Sequence, residues 1–165
     1  MKTQEITGAA PRAGGFRFLV VVSQYNSVVT DRLLSGALDT FRSYGEEIAT
    51  VAVVKVPGAL ELPFVASRAV ESGGYDGLLA LGCVIRGETG HYDAVVDGVT
   101  QGLTAINSRG VVPVIFGILT TDTLLQALDR VGGKVGHKGV EGAATLYQMA
   151  RLAGALPVSS GGASS

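Results

Sequence analysis

The chain has one cysteine, Cys83, and two histidines, His91 and His137, in 165 residues. A single thiol excludes an internal disulfide framework and a cysteine-rich metal site. Two histidines this far apart form no zinc motif, so neither a metal nor another cofactor is expected. Charge is scarce as well: Asp, Glu, Lys and Arg make up 16% of the residues, and the formal net charge is −1. That balance marks neither a nucleic-acid binder nor an anionic-membrane binder. The apolar runs are short and punctuated, so no membrane-spanning helix is expected. The opening MKTQEITGAAPRAGG lacks the apolar stretch of a secretory leader. The expectation is a cytoplasmic protein, with an organellar stroma as the alternative. No Walker pattern, GxGxxG or GxSxG nucleophile elbow occurs.

What the chain does have is apolar residues: 47% are hydrophobic, and the mean hydropathy is +0.37. The length suits one domain with its own core. A surface this poor in charge points to burial against other subunits, hence a homo-oligomer.

Strand and helix patterns alternate along the chain. Phe16–Ser23 is a continuous apolar run, as in a strand buried on both faces. A helix is expected from about Thr30, with Leu33, Leu34, Ala37, Leu38 and Phe41 on one face and Gly45 as its stop. Ile48–Val56 is a second strand, ended by Pro57-Gly58. The helix after it carries Leu62, Val65, Ala66, Ala69 and Val70 and stops at Gly73-Gly74. A third strand, Leu78–Ile85, leads into RGETG and a helix whose buried side is Tyr92, Val95, Val96, Val99, Leu103 and Ile106. The fourth strand is Val112–Leu119. Thr123 and Gln126 make a capping box for a short helix to about Val131, and a last helix runs from about Glu141 to Leu152.

Four βα units predict a three-layer α/β/α sandwich on a parallel sheet, because right-handed crossovers leave few other arrangements. The expected division is an N-terminal arm over 1–15, one domain over 16–154, and a disordered tail over 155–165. The segment Gln4–Thr7 stands apart from the first strand. It is either a frayed end or an arm that adds a strand to a neighbouring subunit's sheet edge.

In open parallel sheets, ligands bind beyond the carboxyl ends of strands where the strand order reverses. For the order 2-1-3-4, that point lies between the first and third strands. The loops SQYN (Ser23–Asn26) and IRGETGH (Ile85–His91) fall there. Glycines 87 and 90 allow close backbone approach, and the amides of RGETGH lead into a helix start, which suits an anion. An ordinary glycine turn capped by Thr89 explains the same residues. His91 sits in the first helical turn, where the helix dipole disfavours imidazolium, so its ring can accept a proton. A lone histidine is more often structural. Glu61 in VPGALELP is either a dipole-complementing carboxylate or an acceptor for ligand hydroxyls. Tyr25-Asn26 is either turn chemistry or a ring for stacking on a flat heterocycle. Arg130, Lys134 and Lys138 are cations near a helix end, among which an arginine suits bidentate capture of phosphate.

Taken together, SQYN, LLSGA, VPGALELP, GCVIRGETGHYDAVV, PVIFGILTTD, QALDR and KGVEGA, in this order and spacing, resemble the lumazine synthase family. The resemblance covers roughly Ile6 to Leu152. It implies a flavodoxin-like fold and a transferase of riboflavin biosynthesis. Such enzymes condense 5-amino-6-(D-ribitylamino)pyrimidine-2,4-dione with 3,4-dihydroxy-2-butanone 4-phosphate, giving 6,7-dimethyl-8-ribityllumazine, phosphate and water. By resemblance, Tyr25 stacks on the pyrimidine with Asn26 beside it. Ala59, Leu60 and Glu61 hold the ribityl chain, and the backbone of Cys83, Val84 and Ile85 reads the heterocycle. Glu88 and Thr89 lie in the phosphate loop, with the Glu88 carboxylate turned away from the anion, and His91 moves the proton. Phe116, Arg130 and Lys138 match positions supplied by the adjacent subunit, with Arg130 on the phosphate.

Three positions depart from the family pattern. Tyr25 stands where phenylalanine or tryptophan is usual, His137 replaces an asparagine, and Cys83 replaces a small residue such as threonine or alanine. Family members form pentamers, decamers or shells of twelve pentamers. The short connector GGKVGHKG is similar to that of the shell-formers, which implies a pentamer-based icosahedral shell of 60 subunits, with riboflavin synthase as a candidate partner. Three other readings compete: a flavin- or lumazine-binding paralogue, a phosphoacceptor domain, and an archaeal-type riboflavin synthase. The first is expected to lack His91 or Arg130. The second needs an acidic cluster after the first strand, which SQYN does not supply. The intact VPGALELP and phosphate loop disfavour the third.

Overall fold

The computed structural model describes residues 1–11 and 13–156. Its four strands are β1 (Phe16–Ser23), β2 (Ile48–Val56), β3 (Gly77–Ile85) and β4 (Val114–Thr121). They pair in parallel in the order β2-β1-β3-β4. The helices are α1 (Ser27–Ser43), α2 (Leu62–Ser72), α3 (His91–Ser108), α4 (Leu124–Leu128) and α5 (Lys138–Ala155). The expected α/β sandwich and strand order are therefore both present, with the flavodoxin-like topology. The tail expected over 155–165 falls largely on 157–165, outside the described residues.

The period-2 geometry of a strand splits β1 between two cores. Phe16, Phe18, Val20 and Val22 face α1 and α5, where they meet Leu33, Phe41 and Leu146. Leu19 and Val21 face α2 and α3, where they meet Leu62, Ala66, Val99 and Leu103. Layers on both sides explain why the run carries no polar alternation. Leu33 is fully buried, and cutting it to alanine costs about 2–5 kcal/mol. The crossing of α1 and α5 is close because of two glycines. A Cβ at Gly139 would lie 2.1 Å from the Leu33 carbonyl oxygen, and one at Gly36 would lie 2.3 Å from His137 Cε1.

Several boundaries differ from the sequence expectation. α1 starts at Ser27 rather than near Thr30, because the chain turns at Asn26. β4 runs two residues later than Val112–Leu119. Pro113 cannot donate to a ladder, whereas Thr120 and Thr121 pair with Val84 and Ile85. α4 ends at Leu128, and Val131 instead bridges His137. α5 starts at Lys138 because the His137 ring caps it: Val140 N–H donates to Nδ1 at 3.4 Å. On α3, Tyr92, Val95 and Val96 are half-buried, and only Val99, Leu103 and Ile106 are fully enclosed.

Residues 1–11 form no strand within the chain. Ala9 exchanges hydrogen bonds with Arg151 of α5: its N–H donates to the Arg151 carbonyl at 2.8 Å, and Arg151 Nε donates to the Ala9 carbonyl at 3.1 Å. An aromatic cluster lies at the amino-terminal end of the sheet. There Tyr147 stacks on Tyr44 at 4.0 Å and its hydroxyl donates to the Glu47 carboxylate.

Candidate active site

At the opposite end of the sheet, the turn after β1 is tied to both neighbouring strands. Asn26 adopts a left-handed backbone conformation, φ 59° and ψ 46°. This costs most L-residues roughly 1–2 kcal/mol, and asparagine is among the few that tolerate it. Asn26 Nδ2 donates to the Cys83 carbonyl at the end of β3, at 2.8 Å. The N–H groups of Gln24 and Tyr25 donate to the carbonyls of Val56 and Pro57, at 2.8 and 3.2 Å. The Tyr25 ring is left 75% exposed, a large apolar face that none of the described residues covers.

After β2, Gly58 N–H donates to Glu61 Oε2 at 2.8 Å, which closes a single 3-10 turn over Ala59–Glu61 ahead of α2. One carboxylate oxygen thus holds the turn, and Glu61 itself stays exposed. After β3, Gly87–Gly90 form an exposed loop that runs into His91, the first residue of α3. No side chain caps α3, so its first-turn amides and the positive end of its dipole face outward. The Thr89 hydroxyl lies 3.5 Å from the His91 N–H. That is at the limit of a hydrogen bond, so the hydroxyl can turn to another partner.

These loops enclose a cleft of about 480 Å³ across the β1/β3 switch point. Tyr25, Asn26, Ala59, Leu60, Glu61, Cys83, Val84, Ile85, Thr89 and His91 all line it. Every one was singled out from the sequence. Glu88 is exposed in the same loop without lining the cleft. Phe116, Arg130 and Lys138 also do not line their own chain's cleft. Phe116 is half-buried on β4 against the α2–α3 core. Arg130 is exposed beyond α4. Lys138 pairs with Glu141 at 3.6 Å, and its N–H donates to the Arg130 carbonyl at 2.8 Å. His137, engaged with Gly36 and the start of α5, does not reach the cleft either.

Gly58, Gly87, Tyr92 and Val95 complete the wall. Tyr92 and Val95 look like core residues in a helical count. The available signal was spacing, since Val95 lies one turn beyond His91 and so shares its face. Burial of Cys83 pushes its thiol pKa up from 9.0 to about 11, so this group is a neutral wall atom rather than a nucleophile. Among the described residues no group of three or more His, Cys, Asp or Glu is placed to hold a metal ion. No helix among them is long and apolar enough to cross a membrane.

The arrangement offers a slot beside an exposed aromatic ring, backbone groups at a strand end, one carboxylate, an amide-rich loop and one imidazole. It can hold a flat polar ring next to an anion and move a proton between them. Comparison with known proteins is consistent with this. Residues 15–154 match the family model of 6,7-dimethyl-8-ribityllumazine synthase. A 6,7-dimethyl-8-ribityllumazine synthase of Phocaeicola vulgatus is 43% identical over 141 residues, 86% of this chain and 84% of that protein. That of Chlorobium phaeobacteroides is 42% identical over 152 residues, covering 92% and 97%. The chloroplastic enzyme of Spinacia oleracea is 44% identical over 149 residues, 90% of this chain and 67% of the plant protein. The matched residues 15–154 include all three loops of the cleft, and the chain belongs to the 6,7-dimethyl-8-ribityllumazine synthase family.

Proposed function

We propose that the cleft condenses 5-amino-6-(D-ribitylamino)pyrimidine-2,4-dione with 3,4-dihydroxy-2-butanone 4-phosphate to form 6,7-dimethyl-8-ribityllumazine, releasing phosphate and water. The observation that carries this reading is the meeting of Tyr25, Glu61, Thr89 and His91, from three separate loops, on one concave surface in a chain of this family. The amine attacks the ketone to form an imine and expel water. Loss of a proton then drives elimination of phosphate, and ring closure with loss of a second water gives the lumazine. Tyr25 stacks on the pyrimidine, with Asn26 beside it. The main chain of Cys83, Val84 and Ile85 pairs with the heterocycle's edge. Ala59, Leu60 and Glu61 hold the ribityl chain, using the carboxylate oxygen that Gly58 leaves free.

The phosphate sits on the loop amides of Glu88 and Thr89 and the Thr89 hydroxyl, and His91 carries the proton. Much of the acceleration comes from orientation of two bound reactants, for which about 7–11 kcal/mol is attainable. One proton carrier adds roughly 10²–10⁴-fold. These residues need no further cofactor for that chemistry.

The site is completed by Phe116, Arg130 and Lys138 of an adjacent copy, with Arg130 on the phosphate. Support comes from their place outside the lining of their own chain's cleft and from exposed apolar side chains such as Phe64 (72%) and Leu125 (74%), which suit a subunit interface. The domain spans 16–154, and the arm 1–15 adds a strand to the neighbour's sheet. Pentamers assemble into a 60-subunit icosahedral shell in the cytoplasm, where riboflavin synthase is a partner. Mixing both substrates with the assembled protein and following lumazine fluorescence tests the reaction. A protein that binds pyrimidine but yields no fluorescent product is a binding module instead.

A further inference from the structure

Arg86 opens the RGETGH loop, and three of its N–H groups are engaged. Nε donates to Asp122 Oδ1 at 3.1 Å. The two terminal nitrogens meet the Asp93 carboxylate at 3.2 and 3.4 Å. The guanidinium carbon lies 4.1 Å from the centre of the Tyr92 ring, which is itself a wall of the cleft. The Arg86 N–H donates to the Thr121 carbonyl at 2.9 Å and so extends the β3–β4 pairing by one residue. One planar cation therefore joins the end of β4, the first turn of α3 and the start of the loop between β3 and α3. Its charge is held firmly, first by the hydrogen bond to Asp93. The side chains involved are 45% to 69% exposed, and ion pairs this exposed contribute little to global stability. A fork of this geometry fixes direction as well as charge.

We propose that Arg86 is a positioning residue for the phosphate-bearing substrate, an inference that rests on the function proposed above. It acts in two ways. It anchors both ends of the loop whose amides face the anion. It also offsets Asp93 and Asp122, two carboxylates that would otherwise repel a phosphate beside a loop already carrying Glu88. Its two carboxylate partners, Asp93 and Asp122, hold the guanidinium across the end of β4 and the first turn of α3, so Arg86 acts through the loop.

The test uses the assembled full chain with Arg86→Ala and Arg86→Lys, reading steady-state kinetics, inorganic phosphate inhibition and Tm. For Arg86→Ala we expect KM for the butanone phosphate, and the inhibition constant for phosphate, to rise together by about tenfold. KM for the pyrimidine and Tm stay near wild type. Arg86→Lys restores charge without the fork and recovers part of the loss. Constants within twofold of wild type, or equal rises for both substrates with a lowered Tm, overturn the proposal. Calorimetric phosphate binding to the same variants reads the Arg86 role even if the wild-type protein forms no lumazine, an outcome that removes the proposed reaction itself.

Discussion

The Asn26 side-chain amide and the Cys83 main-chain carbonyl meet at 2.8 Å, joining the turn after β1 to the end of β3 across the floor of the cleft. Asn26 also holds the positive φ from which α1 starts at Ser27, about three residues earlier than the apolar periodicity suggests. Asn26→Ala loses both the bond and the tolerated backbone conformation, at a cost of about 2–3 kcal/mol. Asn26→Gly keeps the conformation and costs about half as much. Chemical denaturation of the two variants separates the contributions, and equal losses would mean the backbone conformation contributes nothing.

His91→Ala is expected to lower turnover by roughly 10²-fold or more while leaving lumazine affinity close to wild type. His91 stands at the start of α3 and lines the cleft, so its removal takes away the proposed proton carrier without dismantling the slot for the ring. Stopped-flow fluorescence gives the rate and product titration gives the affinity.

Arg130→Ala is expected mainly to raise the apparent KM for the butanone phosphate, by roughly tenfold or more, with a small change for the pyrimidine. Unchanged kinetics would remove Arg130 from the site.

Two groups that lose a proton in the alkaline range, Cys83 and Tyr147, titrate higher in the folded chain among the described residues. The Cys83 thiol is pushed up by burial from 9.0 to about 11. Tyr147 is raised above its ordinary 10.0, first by its hydrogen bond to Glu47. The stability they contribute is complete below the unfolded values and is lost as pH rises through the folded ones. Tm should therefore hold near pH 8 and fall from about pH 9 to 11. Cys83→Ala should flatten part of that fall. Iodoacetamide should leave Cys83 unmodified at pH 8 in the native protein and label it once denatured.

Much of this architecture was legible in the chain. β1 and β2 were bounded at the right residues because an apolar run closed by a polar or Pro-Gly turn has few readings. The polar loops SQYN and IRGETGH pointed to the switch point because little else in an apolar chain has reason to be polar there. What escaped depended on tertiary partners. Asn26 starts α1 in a conformation tied to Cys83, and the His137 ring that caps α5 packs against Gly36; no local pattern contains either partner. Pro113, without an N–H to donate, delays β4 to Val114, whose own N–H goes to the Asn107 side chain at 2.9 Å. Tyr92 and Val95 read as core because a helical period reports which residues avoid water. It does not report whether the apolar face meets protein or substrate.

The central claim is that each working site combines His91 of one subunit with Arg130 of the next. It is tested by co-assembling His91→Ala and Arg130→Ala subunits in equal amounts and assaying at low butanone phosphate. If the site is shared, random mixing leaves about a quarter of the interfaces with both residues intact, and activity rises from the low level of either parent to about a quarter of wild type. A mixture no more active than the mean of its two parents would place both residues in a single chain's site and contradict the account.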